Sequence, residues 1–247
     1  MKKTNELVSY FKDLQLVWAG QNFEELADEG AREHWTHVEY LTRLLEGESS
    51  RRRDNRIQRR IQAAHFPVKK TIDSFNWSWP KKINREQIMN LFRLSFLEQK
   101  ANIAFLGGVG LGKTHLASAL GYAACLEGYS VLFSTAVDMI NALVAAQTTQ
   151  SLKQALKKYQ KPDLLVLDEI GYLPIDKNGA NMLFQVISAR YETGSIVLTT
   201  NKAFKQWSTI LNNDSTLTSA VLDRLLHHME PVIIEGSSYR MKEQIEV

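Results

Sequence analysis

The chain has 247 residues, 44% hydrophobic and 23% charged, with a formal net charge of +3, the composition of an ordinary globular protein. No apolar run is long enough for a transmembrane helix, and the basic N-terminal stretch lacks the apolar core of a signal peptide. The single Cys125 excludes an internal disulfide and a cysteine-based zinc cluster. We therefore expect a cytoplasmic protein that makes no contact with a membrane.

Residues 1–66 have the pattern of a small all-helical domain. Thr36 and Glu39 have the spacing of a capping box, and apolar residues follow them at helical intervals. The helical pattern continues until Pro67, which is the first proline of the chain. We predict a helical domain over residues 1–66 and a second domain over residues 67–247.

The positive charge is concentrated in residues 51–70, which hold eight basic residues and one acidic residue. Residues 1–50 hold five basic and ten acidic residues, so the asymmetry indicates a polyanionic partner. Guanidinium groups on one helix face can follow a phosphate backbone without reading sequence. The alternative is a solvated helix whose arginines pair with acidic residues of the first fifty. The predicted DNA-binding residues are Arg51, Arg52, Arg53, Arg56, Arg59, Arg60, Lys69 and Lys70.

From about residue 71 the pattern alternates between strands and helices. Five short apolar segments read as strands: "NIAFLGG", "YSVLFST", "DLLVLDE", "SIVLTTN" and "PVIIEG". Helical patterns separate them, and several of the strands are apolar throughout. This alternation predicts an α/β fold, a parallel five-stranded sheet covered by helices on both faces.

The segment "GGVGLGKT" matches the P-loop pattern G-x-x-x-x-G-K-[ST] between a predicted strand and a predicted helix. Its glycines permit a tight turn whose backbone amides face an anion, and the helix N-terminus adds positive charge. Lys113 is expected to reach the β- and γ-phosphates of ATP, or the β-phosphate of ADP, and Thr114 to bind Mg²⁺. The predicted nucleotide-binding residues are Gly107, Gly108, Val109, Gly110, Leu111, Gly112, Lys113, Thr114 and His115. For His115, packing is the preferred role over catalysis.

Polar residues follow two further strands. Asp168 and Glu169 end the apolar run "LLVL", where ligands bind in open α/β sheets. Adjacent carboxylates at the end of a buried strand are costly unless a cation and water use them. We expect Asp168 to hold Mg²⁺ and Glu169 to polarise the attacking water. Asn201, at the end of "IVLTTN", is a candidate ligand of the γ-phosphate or of that water.

These motifs together resemble the IstB-type ATP-binding proteins of insertion sequences, AAA+ ATPases related to DnaC-type helicase loaders and to the DnaA initiator. The similar segments are "FLGGVGLGKTHLASALG", "LLVLDEIGYLPID", "IVLTTNKAFKQW", "LDRLLHHMEPVIIEGSSYR" and "RRIQAAHFPVKKTIDSFNW". The resemblance runs from about residue 50 onward, whereas residues 1–49 share helical character and length. Many members have Pro-Pro after the first glycine of the loop, where this chain has Gly108 and Val109.

The resemblance implies a role for each matching residue in one nucleotide site. Lys113 and Thr114 match the Walker A positions, and Asp168 and Glu169 match Walker B. Asn201 matches sensor 1. The linker tryptophans, Trp77 and Trp79, match a region that lies near adenine in relatives, with burial in the core as the alternative.

The resemblance also assigns two arginines. Arg224 matches the arginine finger that one subunit extends to its neighbour's ATP, and Arg240 matches sensor 2; a local ion pair with Asp223 is the alternative for Arg224. Val247 follows Arg240 closely, so we expect no C-terminal helical lid. Arg190 is a candidate for the same interface or a cation at a helix C-terminus. His227 and His228 lack metal-ligand partners at useful sequence spacing.

The implied function is an ATP- and Mg²⁺-dependent AAA+ ATPase that assembles as a ring or spiral on duplex DNA. Residues 1–66 would be its helical DNA-binding and oligomerisation domain, and residues 67–247 its AAA+ ATPase domain. It would recruit or stimulate a cognate transposase and help to select the target site of transposition. The alternative is a DnaC-type loader that places a replicative helicase on single-stranded DNA. A small-molecule kinase is the third interpretation, and the sequence shows no acceptor pocket for it.

Overall fold

The computed structural model describes the backbone of residues 2–239 and the side chains of residues 6–239. The chain divides into two compact units, residues 1–59 and residues 60–247. The third helix of the chain crosses the division between them and ends at Ala63. No helix in the described residues is long and apolar enough to cross a membrane.

The first unit is helical, as the sequence predicts. Its helices are α1 (Lys2–Asp13), α2 (Val17–Arg32) and α3 (His37–Ala63). The predicted capping box is present at the start of α3: the Thr36 amide donates to the Glu39 carboxylate at 2.7 Å, and the Glu39 amide donates to the Thr36 hydroxyl at 3.2 Å. These two bonds satisfy amides that the first turn of a helix leaves unpaired.

A buried carboxylate connects the helices of the first unit. Glu48 of α3 is 5% exposed and accepts from the amides of Trp18 and Ala19, which open α2, at 2.8 and 3.1 Å. Its second oxygen pairs with Arg52 at 2.9 Å, and Arg52 also donates to the Gln15 carbonyl after α1. Glu48 thus caps a helix whose own N-cap residue provides no side-chain bond.

The second unit contains the predicted parallel five-stranded sheet. Its strands are β1 (Asn102–Gly107), β2 (Val131–Thr135), β3 (Leu164–Ile170), β4 (Ser195–Thr200) and β5 (Met229–Ile234). They lie in the order β2-β3-β4-β1-β5, and every neighbouring pair is parallel. The carboxyl ends of β1, β3 and β4, which carry the predicted motifs, therefore meet at one edge of the sheet.

Eight helices and a 3₁₀ turn (Phe204–Gln206) accompany the sheet in the described residues. They are α4 (Arg85–Leu91), α5 (Ser95–Glu98), α6 (Lys113–Leu126), α7 (Ala136–Thr148), α8 (Leu152–Gln160), α9 (Lys177–Arg190), α10 (Trp207–Ile210) and α11 (Ser215–Leu226). Leu165 and Leu167 of β3 pack with α7, α9 and α11, while α6 also contacts β3. Successive strand residues point to opposite faces, so helices cover both sides of the sheet, as predicted.

One buried arginine connects the loops at the amino ends of β3 and β4. Arg190 is 1% exposed, and its guanidinium donates five hydrogen bonds of 2.8–3.1 Å to main-chain carbonyls. The acceptors are Tyr159, Gln160, Pro162, Asp163 and Ser195. Burial lowers the pKa of Arg190 to about 10, so the side chain stays charged at neutral pH. Arg190, which ends α9, therefore caps the carboxyl end of α8 by bonding its last carbonyls.

Candidate nucleotide site

The predicted P-loop joins β1 to α6. Gly110 and Gly112 have φ angles of +74° and +85°, the left-handed region that glycine adopts without strain. A side chain at Gly112 would also meet the Phe75 ring, since an added Cβ would lie 2.6 Å from Cε2. The loop thus requires glycine at position 112 for both its backbone conformation and its packing.

The two polar residues that open α6 connect the loop to its surroundings. The Lys113 ammonium donates to the Gly108 carbonyl at 2.6 Å across the loop. The Thr114 hydroxyl donates to Oδ1 of Asp168 at 3.0 Å, which joins the start of α6 to the end of β3. The structure therefore brings together three of the residues that the sequence assigns to phosphate and metal.

The two acidic residues of β3 lie together in a β-bulge. Leu167 pairs with Leu198 and Ile170 pairs with Thr200, so Asp168 and Glu169 together face Thr199 alone. Glu169 has a φ of +62°, which is rare outside glycine. The bulge leaves Asp168 buried, at 4% exposure, while Glu169 is exposed at the edge of the cleft described below.

Thr199 is the residue that the sequence analysis missed. Its hydroxyl donates to Oδ1 of Asp168 at 2.5 Å and accepts from the Glu169 amide at 2.9 Å, and the residue is 1% exposed. One hydroxyl therefore positions both the Asp168 carboxylate and the Glu169 backbone. A threonine inside an apolar strand is common in sheets, so the sequence carries a weak signal for this role.

A cleft of about 550 Å³ opens above these strand ends, within the usual size of a small-molecule site. Predicted nucleotide residues line much of it: Val109, Gly110, Leu111, Gly112, Lys113, Thr114, His115, Glu169 and Asn201. Asn201 is exposed immediately after β4, as expected for a residue that faces a ligand. Gly107 and Gly108 come before this lining, and Asp168 lies beneath it, bonded to Thr114.

The linker before α4 forms a second wall of the cleft. Trp79 donates to the Ser237 carbonyl at 3.0 Å and packs edge-on against Tyr239, with ring centroids 5.1 Å apart. The Tyr239 amide donates to the Gly110 carbonyl at 3.0 Å, which places the segment after β5 against the loop. Trp79 and Tyr239 both line the cleft, so this wall presents aromatic surface. Arg240, the predicted sensor 2, lies outside the described residues.

His115 contacts the linker rather than an ionisable partner. Its Nε2 lies 3.0 Å from the Thr71 carbonyl and 3.3 Å from the Ser74 hydroxyl, and its ring packs edge-on against Phe75. Burial is the main cause that lowers the pKa of His115, so the ring is neutral at physiological pH. These contacts agree with a packing role at the rim of the cleft.

Arg224 lies on α11, outside the lining of this cleft in the described part of the chain. It is half-buried, donates to the Ala220 carbonyl at 2.9 Å, and lies 5.0 Å above the Phe184 ring. No ion pair with Asp223 occurs among the described side chains. Arg190, by contrast, is an interior residue of its own unit, so the structure does not support its placement at a subunit interface.

The six arginines of α3 that the sequence assigns to DNA binding differ in their surroundings. Arg51 donates to the Gln21 side chain at 2.8 Å, and Arg52 pairs with Glu48, the i,i+4 arrangement that the solvated-helix alternative expects. Three other arginines are exposed and lie on the same stretch of α3: Arg53, Arg56 and Arg59. Among the predicted DNA-binding residues, some therefore already bond to other side chains, whereas others are exposed to solvent.

The rest of that set belongs to the second unit. Arg60 is partly buried, and its guanidinium lies close to Gly128, just after α6. Lys69 is exposed in the linker, whereas Lys70 lines the nucleotide cleft. Lys70 is thus positioned near the phosphate-binding loop rather than along α3.

The structure places an acidic residue beside His227 and His228 that sequence spacing does not indicate. Glu192, which follows α9, offers a carboxylate oxygen within 4.8 Å of ligand nitrogens of both histidines. The three residues are exposed. Glu192 is distant from the histidine pair in sequence, and the packing of α9 against α11 brings them together.

The arrangement of strands and motifs defines the class of protein. A P-loop after β1, an acidic pair at the end of β3 and the strand order β2-β3-β4-β1-β5 are those of an AAA+ P-loop fold. AMPPCP-bound DnaA from Aquifex aeolicus is a similar solved structure, with a TM-score of 0.55 and 24% identity over 74% of this chain and 56% of that one. The DnaC helicase loader has a TM-score of 0.55 and 22% identity over 67% of this chain and 96% of that one.

Sequence comparison identifies the family within this class. The family model described as IstB-like ATP binding protein matches residues 9–247, and the chain belongs to this family. It is 40% identical to the ATP-binding protein of insertion sequence IS5376 from Geobacillus stearothermophilus, over 95% of this chain and 93% of the relative. The ATP-binding protein of insertion sequence IS21 from Pseudomonas aeruginosa is 35% identical, over 97% of this chain and 90% of the relative.

Gly112→Ala is expected to weaken ATP binding at least tenfold, because it combines a left-handed backbone with a clash against Phe75. The measurement is a titration with a fluorescent ATP analogue. Gly108→Ala is the matched control, since an added Cβ there would meet Leu111 at an ordinary 3.7 Å. Equal affinities of the two variants would contradict this account of the loop.

Proposed function

We propose that this protein is a Mg²⁺-dependent AAA+ ATPase that binds DNA and acts with a transposase in DNA transposition. The observation that carries the ATPase assignment is the hydrogen-bonded set at the floor of the cleft. Thr114 and Thr199 both donate to Asp168, and the same Thr199 hydroxyl accepts from the Glu169 amide. This set joins the phosphate-binding loop to the acidic pair through the ends of two adjacent strands.

The oxygen atoms of Thr114 and Asp168 fit a magnesium ion. The hydroxyl and the carboxylate lie 3.0 Å apart, and both are the hard oxygen ligands that Mg²⁺ prefers. When bound, Mg²⁺ would neutralise charge on the β- and γ-phosphates of ATP. Lys113 would exchange its bond to the Gly108 carbonyl for phosphate oxygens, and Asn201 would donate from the far side of the cleft.

Glu169 is the residue that we assign to the attacking water. It lies at the cleft, exposed, next to a buried Asp168 whose oxygen is already occupied by two hydroxyl donors. A carboxylate with free access to water can orient and polarise that water for attack on the γ-phosphate. The bulge therefore lets Asp168 face the metal while Glu169 faces the attacking water.

We propose that Arg224 completes the site of a neighbouring subunit. Val221 and Leu225 of the same helix are buried, which anchors α11 in its own subunit. Arg224 is half-buried and lies outside the lining of its own cleft, so an ATP-stabilising role requires a second copy. Such an arrangement requires a ring or spiral, and we assign Arg240 to the nucleotide of its own subunit.

Residues 1–66 are proposed as the helical domain that binds duplex DNA and supports assembly. The exposed Arg53, Arg56 and Arg59 supply a charged stretch of α3 that can contact phosphates without reading bases. The relatives are ATP-binding proteins of insertion sequences, which supports a role in transposition. Assembly on DNA would then recruit or stimulate the cognate transposase and contribute to the choice of target site.

Glu169→Gln is expected to retain ATP binding and to hydrolyse ATP about 10²–10⁴-fold more slowly, the usual contribution of a general base. Phosphate release measures hydrolysis, and nucleotide titration measures binding. Wild-type turnover in Glu169→Gln would refute the assignment of the base.

Thr199→Val should lower turnover about 10–100-fold, because the acidic pair loses its shared hydroxyl. Phosphate release measures the effect. Thr199→Ser should restore activity, and Thr218→Val is the matched control because Thr218 is buried on α11.

Arg224→Ala is expected to bind ATP normally and to hydrolyse it about 10³–10⁵-fold more slowly, the range known for arginine fingers. The decisive measurement mixes Arg224→Ala subunits with Glu169→Gln subunits. If the finger acts in trans, some interfaces combine an intact Glu169 with an intact Arg224, and activity reappears in the mixture. A mixture as inactive as its two components would contradict the proposal.

Replacement of Arg53, Arg56 and Arg59 by alanine should weaken binding to duplex DNA. It should also reduce the slope of log K against log salt by up to about 2.7, since each lost phosphate contact removes about 0.9. The control with the same change in charge replaces three lysines of α8: Lys153, Lys157 and Lys158. Fluorescence anisotropy over a salt series measures both variants. Equal losses in the two variants would refute the role of α3, and a preference for single strands would favour a helicase loader.

A further inference from the structure

A cluster of metal-ligating side chains lies outside the nucleotide cleft. Glu192 follows the end of α9, and His227 and His228 follow the end of α11. One ligand atom from each residue can be chosen so that all three lie within 4.8 Å of one another. Side-chain rotations alone could bring three such atoms to the 2.0–2.2 Å bond lengths of zinc.

We propose that Glu192, His227 and His228 form a binding site for a transition-metal ion such as Zn²⁺. Two imidazoles and one carboxylate are a ligand set that Zn²⁺ accepts, with three protein ligands and a fourth position for water or another group. Mg²⁺ and Ca²⁺, which prefer oxygen ligands throughout, do not fit this set. The proposal does not rest on the ATPase function, because the site shares no residue with the nucleotide cleft. Glu192 and His228 do border the same small cavity as Arg224.

The backbone on both sides of the site is held by defined contacts. Glu192 has a φ of +59°, and the turn that contains it is closed by the amides of Thr193 and Gly194, which donate to the Arg190 carbonyl. The buried guanidinium of Arg190 donates to the Ser195 carbonyl, which directly follows this turn. On the opposite side, the His227 amide donates to the Asp223 carbonyl and continues α11 by one residue. The ligands are therefore presented by ordered segments.

Tyr191 provides a second layer around one of the histidines. Its hydroxyl lies 2.7 Å from Nδ1 of His227. If Nδ1 carries the proton and donates to Tyr191, then Nε2 keeps its lone pair for a metal. Metal-ligating histidines generally have such a partner on the other nitrogen, which orients the ring and fixes its tautomer.

The neighbouring cations are directed to other partners. The guanidinium of Arg190 donates to main-chain carbonyls, and that of Arg224 lies over the Phe184 ring. Glu192 forms no salt bridge among the described side chains, so its carboxylate can compensate the charge of a bound ion, which would join the turn after α9 to the end of α11.

The test is a Zn²⁺ titration of the full untagged chain, without nucleotide, in competition with a chromophoric chelator. We expect one ion per chain with micromolar or tighter affinity. His228→Ala and Glu192→Gln should each lower the affinity at least tenfold, and Tyr191→Phe about 10-fold through loss of the second layer. Thermal unfolding of the wild type should shift upward with Zn²⁺, because an ion that binds the folded state stabilises it.

His37→Ala is the matched control, since His37 is an exposed histidine of the first unit. It should keep the affinity of the wild type. Unchanged affinity in both His228→Ala and Glu192→Gln, or no binding of Zn²⁺ at micromolar concentrations, would overturn the proposal. Titration of each variant with the ATP analogue shows whether it is folded, and a chain that binds Zn²⁺ but does not hydrolyse ATP would contradict the proposed function alone.

Discussion

The nucleotide site depends on how the sheet accommodates a buried carboxylate at the end of β3. Asp168 is 4% exposed, and a carboxylate in that position is costly unless donors surround it. Thr114 from α6 and Thr199 from β4 provide those donors, so one acidic residue joins three elements. The β-bulge places Asp168 and Glu169 opposite Thr199, and the left-handed backbone of Glu169 follows from it. The left-handed backbone thus falls on the residue that we propose to act on the attacking water.

Buried charges organise the two units in a similar way, away from the nucleotide. Glu48 caps α2 from a position on α3, and Arg190 caps the carboxyl end of α8 from the end of α9. Each charged group meets the partial charge of opposite sign at a helix terminus. Both residues are bonded to backbone groups distant in sequence, so they hold elements together rather than contact ligands. The solvated-helix interpretation of Arg52 is supported in this respect, because Arg52 neutralises Glu48.

Local patterns were sufficient for the fold and for most of the site. Short apolar runs of three or four residues predicted all five strands, and the glycine spacing predicted the loop that Gly110 and Gly112 form with positive φ angles. Asp168, Glu169 and Asn201 were predictable because the carboxyl ends of parallel strands face the ligand. Thr199 and Glu192 were not, since each matters through a partner about thirty residues away. Arg190 was ambiguous for the same reason: its acceptors lie on other elements.

The order of helices and strands, the phosphate-binding loop and the family could all be predicted from the amino-acid sequence. These properties depend on hydrophobic periodicity, turn-forming residues and short motifs, which are local. Which charged residues are buried in hydrogen bonds to the backbone, and which remain exposed, became clear only from the packing of the folded chain. The packing of α9 against α11 likewise created the Glu192, His227 and His228 cluster. Burial and hydrogen bonding between distant segments depend on how the elements pack, and periodicity does not record that packing.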